Sequence, residues 1–240
     1  MKLMGSRFDI TVVSQNEEIG YINIEEAIAE ITRIEKLISS WDPDSETSLI
    51  NKNAGIKPVK VSDELFKLIE RAKQVSEITD GACDISYADR TKELLISKQV
   101  KAGIINASGD LTTWGTKASG EKWLIGIANP LSKEKIFSWV PVMESSVATS
   151  GNYEKFVTFN GTKYSHIIDP RTGYPSTGIN SVSIFSKSAE LCDALATAVF
   201  IMGRDSGLAF IDQLPGTEAI IVDSNNKIYK SSGILFDTTQ

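Results

Sequence analysis

The sequence contains, at residues 164–175, the run Tyr164-Ser165-His166-Ile167-Ile168-Asp169-Pro170-Arg171-Thr172-Gly173-Tyr174-Pro175. It includes His166, the only histidine of the chain. Imidazole is the side chain whose charge ordinarily changes near neutral pH, and here a hydroxyl, a carboxylate and a guanidinium lie close to it in sequence. A lone histidine at the end of a strand is often only a hydrogen-bonded structural residue. The polar groups around this one favour a functional site.

Composition limits the class of protein. With 240 residues, 26.2 kDa and 41% hydrophobic residues, the chain can form one large globular domain or two small ones. A net charge of -6 and a pI near 5.0 argue against nucleic acid or an anionic membrane as a partner. The two cysteines, Cys83 and Cys192, are too few for a disulfide framework and do not have zinc-site spacing.

The first half of the chain alternates between strand and helix patterns. Residues 8–13 predict a strand, and Asn23 predicts the N-cap of a helix whose apolar face reaches residue 38. Residues 39–48 predict a polar loop, and Ser62 predicts the cap of a second helix. A further helix is predicted at 87–99 and a buried strand at 103–106.

The second half predicts mostly short strands, at 123–128, 137–142, 155–159, 162–167 and 180–185. Asn160-Gly161 between two of them is a strong hairpin signal. Ser188 predicts the cap of a helix that ends at Gly203, followed by a shorter helix and two strands. Without repeats or linkers, these elements indicate a compact α+β protein.

The helix at 189–202 contains an acid among apolar residues, so nearly every face of it should be covered. Asp193 interrupts the apolar pattern, and Thr197 lies one turn further on the same face. A carboxylate there is costly unless it is protonated, paired or bound to a cation. Carboxylate and hydroxyl oxygens suit Mg²⁺, but Asp193 could equally cap a neighbouring element.

Three other segments are weaker candidates when each is taken alone. The runs Thr79-Asp80-Gly81-Ala82-Cys83-Asp84 and Ala107-Ser108-Gly109-Asp110 place glycine beside acid, and most such glycines only form turns. Trp41 could stack on a planar ring, although a lone tryptophan more often packs into the core. Residues 149–153 could contact a phosphate or form an edge-strand turn.

Taken together and in order, segments along almost the whole chain resemble the ApbE family of FAD:protein FMN transferases. The shared segments are Met4-Gly5-Ser6, Ser40-Trp41-Asp42-Pro43-Asp44-Ser45-Glu46, Thr79-Asp80-Gly81-Ala82-Cys83-Asp84, Ser108-Gly109-Asp110, Trp123-Leu124-Ile125-Gly126-Ile127, Ala148-Thr149-Ser150-Gly151, the run at 164–175 and Asp193-Ala194-Leu195-Ala196-Thr197. The run at 165–173 is far more specific than a short motif.

The resemblance implies an α+β fold, with a twisted antiparallel sheet of the T-fold type and packed helices, in a single domain over residues 1–240. It implies an enzyme that splits FAD at its pyrophosphate, joins FMN to a threonine or serine of an acceptor flavoprotein, and releases AMP. Asp193 and Thr197 are then implied Mg²⁺ ligands. The implied FAD-site residues are Met4, Trp41, Ala82, Cys83, Asp84, His166 and Ile168.

The implied chemistry agrees with the side chains that the sequence offers. Mg²⁺ on Asp193 and Thr197 can neutralise charge on the pyrophosphate during transfer. His166 is the candidate general base for the incoming hydroxyl, or a group that orients the phosphate, and Asp169 is a candidate to fix its tautomer.

The chain departs from the family pattern at two places. In the family, a long segment follows the turn at 81–84 and ends in an Ala-Lys-Gly-Tyr-Ala-x-Asp stretch, whose carbonyl completes the metal site and whose lysine lies near the cofactor. Here Ser86 is followed directly by Tyr87-Ala88-Asp89. A second departure, Cys83 where an aromatic or leucine is usual, predicts only a local packing change.

The first departure has two interpretations. Either this is a shortened member with impaired metal binding, or the molecule carries a stretch between Ser86 and Tyr87 that this sequence lacks. We expect the second, because a helix that starts at Tyr87 has no cap. An intact mass well above 26.2 kDa would support it, and a mass equal to that value would refute it.

Two alternatives to the transferase remain: an FAD pyrophosphatase that yields FMN and AMP, and a non-catalytic flavin-binding protein. The expected partners are FAD and an acceptor flavoprotein, with no nucleic acid and with a homodimer as an open alternative. Residues 1–10 lack the apolar stretch of a signal peptide. Because family members are usually exported and often lipid-anchored, we expect an extracytoplasmic, periplasmic protein that meets a membrane only through an anchor of its precursor, with a cytoplasmic location as the alternative.

Overall fold

A computed structural model describes residues 1–3, 6–78, 88–129, 132–153, 156–159 and 162–234. Within these ranges the helices are α1 (Glu17–Ile38), α2 (Glu46–Asn53), α3 (Asp63–Ile78), α4 (Ala88–Ser97), α5 (Ala189–Met202) and α6 (Arg204–Ile211). The strands are β1 (Lys2–Leu3), β2 (Ser6–Val13), β3 (Ala102–Ala107), β4 (Asp110–Trp114), β5 (Trp123–Asn129), β6 (Ser132–Val142), β7 (Ser146–Gly151), β8 (Phe156–Phe159), β9 (Thr162–Ser165), β10 (Ile168–Asp169), β11 (Tyr174–Pro175), β12 (Ile179–Ser186), β13 (Glu218–Asp223) and β14 (Ile228–Lys230).

One sheet organises the structure. Its strand order is β1-β2-β3-β4-β7-β12-β13-β14, and every neighbouring pair is antiparallel. Three further antiparallel pairs, β5 with β6, β8 with β9 and β10 with β11, form separate two-stranded sheets. The expected α+β class with an antiparallel sheet is therefore confirmed.

The two faces of the sheet are covered by different elements, as the alternation of side chains along β7 and β12 shows. Ala148 pairs with Ile184, and both belong to the buried cluster that contains α5 and α6 residues. Val147 pairs with Phe185, and both belong to a second cluster that contains Trp123 of β5. Helices therefore cover one face, and the β5–β6 hairpin covers part of the other.

A third buried cluster joins the helical layer to the first strands of the sheet. It contains Ile31 of α1 and Leu95 of α4, packed with Phe8, Ile105 and Trp114 of the sheet. The Trp114 indole N–H donates to the carbonyl of Val100 at 2.9 Å, so the polar edge of this buried ring is satisfied. This cluster fixes α4, the helix that follows the departure from the family pattern.

Two helix starts differ from the sequence-based expectation. Helix α1 begins at Glu17, where the Asn16 side chain accepts from the N–H of Ile19, and Asn23 is a buried residue inside the helix. The prediction of an Asn23 cap was wrong because Asn16 offers the same capping chemistry further upstream. Helix α2 begins inside the predicted polar loop, with Ser45 as its cap.

The later elements agree with their predictions. The Ser188 hydroxyl accepts from the N–H of Leu191 at the start of α5, and Gly203, with φ of 83°, ends it. Strands β8 and β9 pair as the hairpin signal predicts, while the turn residues Asn160 and Gly161 lie outside the described residues. Among the described helices, none combines the length and apolar character needed to cross a membrane.

Candidate functional site

The implied metal ligands lie on a stripe of α5 that the rest of the protein leaves partly open. Asp193 and Thr197 are half-buried, although Cys192, Ala194 and Ala196 beside them are fully buried. The expectation that nearly every face of this helix is covered was therefore wrong for this stripe. Because α5 lies on one face of a single sheet, one edge of the helix keeps contact with solvent.

Strand β7 supplies a hydroxyl beside this stripe. Ser150 Oγ lies 3.1 Å from Thr197 Oγ1, and either atom can be the donor. One turn before Thr197, Asp193 adds a carboxylate on the same edge of the helix. Oxygen donors from β7 and α5 therefore lie side by side.

Asp110 brings a second carboxylate to the helix-covered face of the sheet. Its Oδ1 accepts from the N–H of Thr149 on β7 at 3.4 Å. Two residues further along β4, Thr112 shares this face and accepts from the hydroxyl of Ser146 at 2.8 Å. Sequence reasoning treated Asp110 only as part of a glycine turn, because nothing in the sequence shows that β4 is a neighbour of β7.

The pKa of the Cys192 thiol shows that the region around α5 is electrostatically negative. Burial raises the pKa of its thiol well above the usual value, and the negative charges of Asp89, Asp110 and Asp193 raise the pKa further. These carboxylates come from three different elements, α4, β4 and α5. A cation near the start of α5 would be attracted by all three.

Asp89 holds the N-terminus of α5. Its Oδ1 accepts from the N–H of Ala189 at 2.9 Å, and its Oδ2 accepts from the Ser188 hydroxyl at 2.7 Å and from the N–H of Glu190 at 3.1 Å. A carboxylate at this end also interacts favourably with the helix dipole. Sequence reasoning missed this role, since Asp89 and α5 are separated by about a hundred residues.

His166 lies at the surface between β9 and β10, next to a buried anchor. Its imidazole is exposed, and the following residue, Ile167, is buried in the cluster that contains Leu195 and Val199 of α5. The next residue, Ile168, is exposed. The same core thus supports the histidine segment and the helix with the implied metal ligands.

Asp169 is engaged by a neighbouring guanidinium. Its Oδ1 accepts from the backbone N–H and the Nε of Arg171, and its Oδ2 accepts from Nη2, each at 2.9 Å. Hydrogen bonding to Arg171 lowers the pKa of the Asp169 carboxyl below its usual value. Among the described contacts, this carboxylate serves to stiffen the turn between β10 and β11.

Trp41 is not a core residue. Its side chain is 95% exposed, in the turn between α1 and α2. Exposing a large aromatic ring is unfavourable without a contact to cover it, which supports the alternative that the ring stacks on a ligand. The remaining implied FAD-site residues, Met4, Ala82, Cys83 and Asp84, lie outside the described residues.

A surface cleft of about 680 Å³ opens between α1, α3, α4 and the start of α5. Its lining includes apolar side chains, such as Ile34 and Leu68, and several charged ones. Within this lining, Arg71 Nε lies 3.0 Å from Glu190 Oε1 and joins α3 to α5. The lining reaches α5 at Glu190 but does not include the Asp193–Thr197 stripe, so the cleft is a neighbour of the candidate site.

Comparison with known proteins identifies what the chain resembles. The model of the ApbE family matches residues 4–89 and 86–221. A protein of Treponema pallidum named FAD:protein FMN transferase is 26% identical over 88% of this chain and 80% of its own length. A Klebsiella pneumoniae protein of the same name is 26% identical over 96% of this chain and 90% of its own.

Solved structures share the fold. The ApbE protein of Thermotoga maritima superposes with a TM-score of 0.87 at 24% identity, and covers 97% of this chain and 96% of its own. The flavin transferase ApbE of Vibrio cholerae superposes with a TM-score of 0.83 at 20% identity, and covers 97% and 96%. At these identities the likeness shows the fold alone.

The relatives also contain residues that this chain lacks. The alignment with the Treponema pallidum protein extends over 289 residues, more than the 240 residues of the whole chain. The two ranges matched by the family model overlap at residues 86–89, where the sequence reads Ser86-Tyr87-Ala88-Asp89. These four residues thus match the end of the first range and the beginning of the second.

Replacing Asp89 by alanine should destabilise the protein. The change removes the acceptor for three donors at the start of α5, and we expect the free energy of unfolding to fall by about 1–3 kcal/mol. Urea unfolding followed by circular dichroism measures this. Glu93→Ala on the same helix, where the exposed carboxylate pairs only with Arg90 among the described ion pairs, is the matched control, with a change within about 0.5 kcal/mol. Equal stability of the two variants would contradict the capping role.

Proposed function

The chain belongs to the ApbE family, and from that membership we propose that it is a FAD:protein FMN transferase. The relatives from Treponema pallidum and Klebsiella pneumoniae carry this name. A solved Pseudomonas stutzeri protein with the same fold is called a flavinyl transferase. FAD is then the flavin substrate, and a second protein is the acceptor.

The observation that best supports this reaction is the group of oxygen donors on α5 and β7. Asp193 and Thr197 occupy one half-open edge of α5, and the Ser150 hydroxyl lies 3.1 Å from that of Thr197. Hard oxygen donors of this kind fit Mg²⁺, which prefers carboxylate, hydroxyl and water ligands. Asp193 and Thr197 would hold the ion. In the described ranges no three Asp, Glu, His or Cys side chains converge, so water and phosphate oxygens would complete its shell.

The proposed reaction transfers FMN to a threonine or serine hydroxyl. Mg²⁺, when bound, neutralises the charge that develops on the phosphate oxygens. His166 accepts the proton of the acceptor hydroxyl while the hydroxyl oxygen forms a bond to the phosphorus of the FMN half. The bond from that phosphorus to the bridging oxygen breaks, and AMP leaves with the bridging oxygen.

Two of the implied FAD-site residues have exposed apolar side chains that suit a flavin. The Trp41 ring can stack on one of the planar rings of FAD, and the exposed Ile168 lies two residues from the imidazole. We assign the FAD contacts of Met4, Ala82, Cys83 and Asp84 from the family pattern. In this proposal the pyrophosphate of the bound dinucleotide would lie at the Asp193–Thr197 edge of α5.

Organisation and location are part of the same proposal. Residues 1–240 form a single domain, and a segment of the family pattern is missing near residues 86–87, which the overlap of the matched ranges supports. Because family members are usually exported, we propose an extracytoplasmic, periplasmic enzyme with a lipid anchor on its precursor. A net charge of -6 argues against nucleic acid as a partner. Homodimer formation stays a prediction, tested by light scattering.

Replacing Asp193 by asparagine should abolish most of the transfer activity. The variant keeps the size of the side chain and removes the charge that would bind the cation, so we expect a rate lower by roughly 100-fold or more. The measurement is a covalent FMN adduct on a threonine-containing acceptor peptide, after incubation with FAD and Mg²⁺. Glu190→Gln is the matched control, because this acid lies one turn earlier on α5 and pairs with Arg71.

The same incubation distinguishes the candidate functions. A covalent FMN adduct with release of AMP supports the transferase. Free FMN with AMP and no adduct would establish an FAD pyrophosphatase. Bound FAD without any product would establish a non-catalytic flavin-binding protein. Activity of the Asp193→Asn variant equal to that of Glu190→Gln would contradict the role of Asp193.

Replacing His166 by alanine should slow transfer without preventing FAD binding. Loss of a general base lowers a rate by about 10²- to 10⁴-fold, and the imidazole lies at the surface, so the fold should be unaffected. Added imidazole should restore part of the rate if the side chain transfers a proton. If this variant transfers FMN as fast as the unmodified protein, His166 is not the general base.

A further inference from the structure

Ser150 occupies a defined place between the sheet and α5. Alternate residues of β7 face α5, and Ala148 on this face belongs to the same core cluster as Cys192 and Leu195. Ser150 is the next residue on that face, and it is half-buried like its partner Thr197. The two hydroxyl oxygens are 3.1 Å apart, within the range of a hydrogen bond.

We propose that Ser150 is a positioning residue for the cation site: its oxygen accepts the proton of the Thr197 hydroxyl and thereby directs a lone pair of Thr197 Oγ1 towards the cation. This inference rests on the proposed function, since it requires that Asp193 and Thr197 hold the ion. Ser150 itself does not bind the ion, and it acts through Thr197.

The direction of the hydrogen bond follows from the chemistry of a hydroxyl group. Thr197 Oγ1 has one proton and two lone pairs, and in the absence of a cation either hydroxyl can donate. A cation on Oγ1 uses one lone pair and polarises the O–H bond, which makes Thr197 the better donor of the two hydroxyls. Ser150 Oγ is already within reach of that proton, and the site therefore needs no rearrangement when the ion arrives.

Without the Ser150 hydroxyl, the Thr197 hydroxyl would donate its proton to a different acceptor. A threonine inside a helix commonly donates to the backbone carbonyl four residues earlier, which for Thr197 is that of Asp193. That bond would rotate the Thr197 side chain or redirect its lone pairs. Groups that orient metal ligands in this way typically contribute 10- to 100-fold to metal affinity.

On the face opposite α5, the sheet contains a second threonine–serine hydroxyl pair, which is comparable to Thr197 and Ser150. Thr149 Oγ1 lies 2.8 Å from Ser183 Oγ, between the same two strands that carry the α5 contacts. Ser183 is more deeply buried than Ser150. Ser183→Ala therefore removes one threonine–serine hydrogen bond of the same kind without touching the α5 face.

The test measures the binding of Mn²⁺, a paramagnetic substitute for Mg²⁺, to the whole protein without flavin. The concentration of free Mn²⁺ is followed by electron paramagnetic resonance. We expect Ser150→Ala to raise the dissociation constant about 10- to 100-fold and Ser183→Ala to change it less than about twofold. Ser150→Thr and Ser150→Val are a second, nearly isosteric pair that differs in the hydroxyl. Ser150→Thr should retain the affinity for Mn²⁺, and Ser150→Val should lose it.

The possible results distinguish failure of the proposed cation site from failure of the proposed role of Ser150. If the unmodified protein binds no Mn²⁺ either alone or after addition of FAD, whose phosphate oxygens would complete the shell, the proposed cation site fails, and the role of Ser150 fails with it. If the unmodified protein binds Mn²⁺ and Ser150→Val binds it equally well, only the role of Ser150 is overturned. In a Thr197→Val background, a further loss of affinity from Ser150→Ala would also overturn it, because Ser150 would then act independently of Thr197.

Discussion

The packing of α5 against β7 and β12 is the contact on which the rest of the structure depends. Ala196 and Val199 of the helix and Val182 of β12 are completely buried in one cluster. Burying three such side chains contributes several kcal/mol, on the order of 1.5–3 kcal/mol for each large aliphatic one. The same packing sets the helix so that its Asp193–Thr197 edge stays partly open beside Ser150.

Two other features fix this helix in position, one at its end and one at its side. Asp89 accepts three hydrogen bonds at the N-terminus, and Arg71 of α3 pairs with Glu190 in the first turn. The core cluster of α5 also includes Ile167, which follows the exposed His166. A single apolar core thus supports two polar segments that are distant in sequence.

The sequence allowed the helix at 189–202, its Ser188 cap and most strands to be predicted, because capping and alternation are local signals. It did not show that Ser150, Asp110 and Asp89 lie around α5. Those contacts depend on sheet order and on chain segments about forty to a hundred residues apart, for which no local pattern exists. The cap of α1 was misplaced for a different reason: Asn16 and Asn23 have equal capping chemistry, and only the structure distinguishes them.

In the proposed mechanism the open edge of α5 binds a divalent cation. Anomalous diffraction from a crystal soaked with Mn²⁺ and FAD tests it most directly. We expect one strong peak at about 2.0–2.6 Å from oxygens of both Asp193 and Thr197, with a pyrophosphate oxygen as a further ligand. A cation bound elsewhere, or a flavin pyrophosphate seated away from α5, would contradict it.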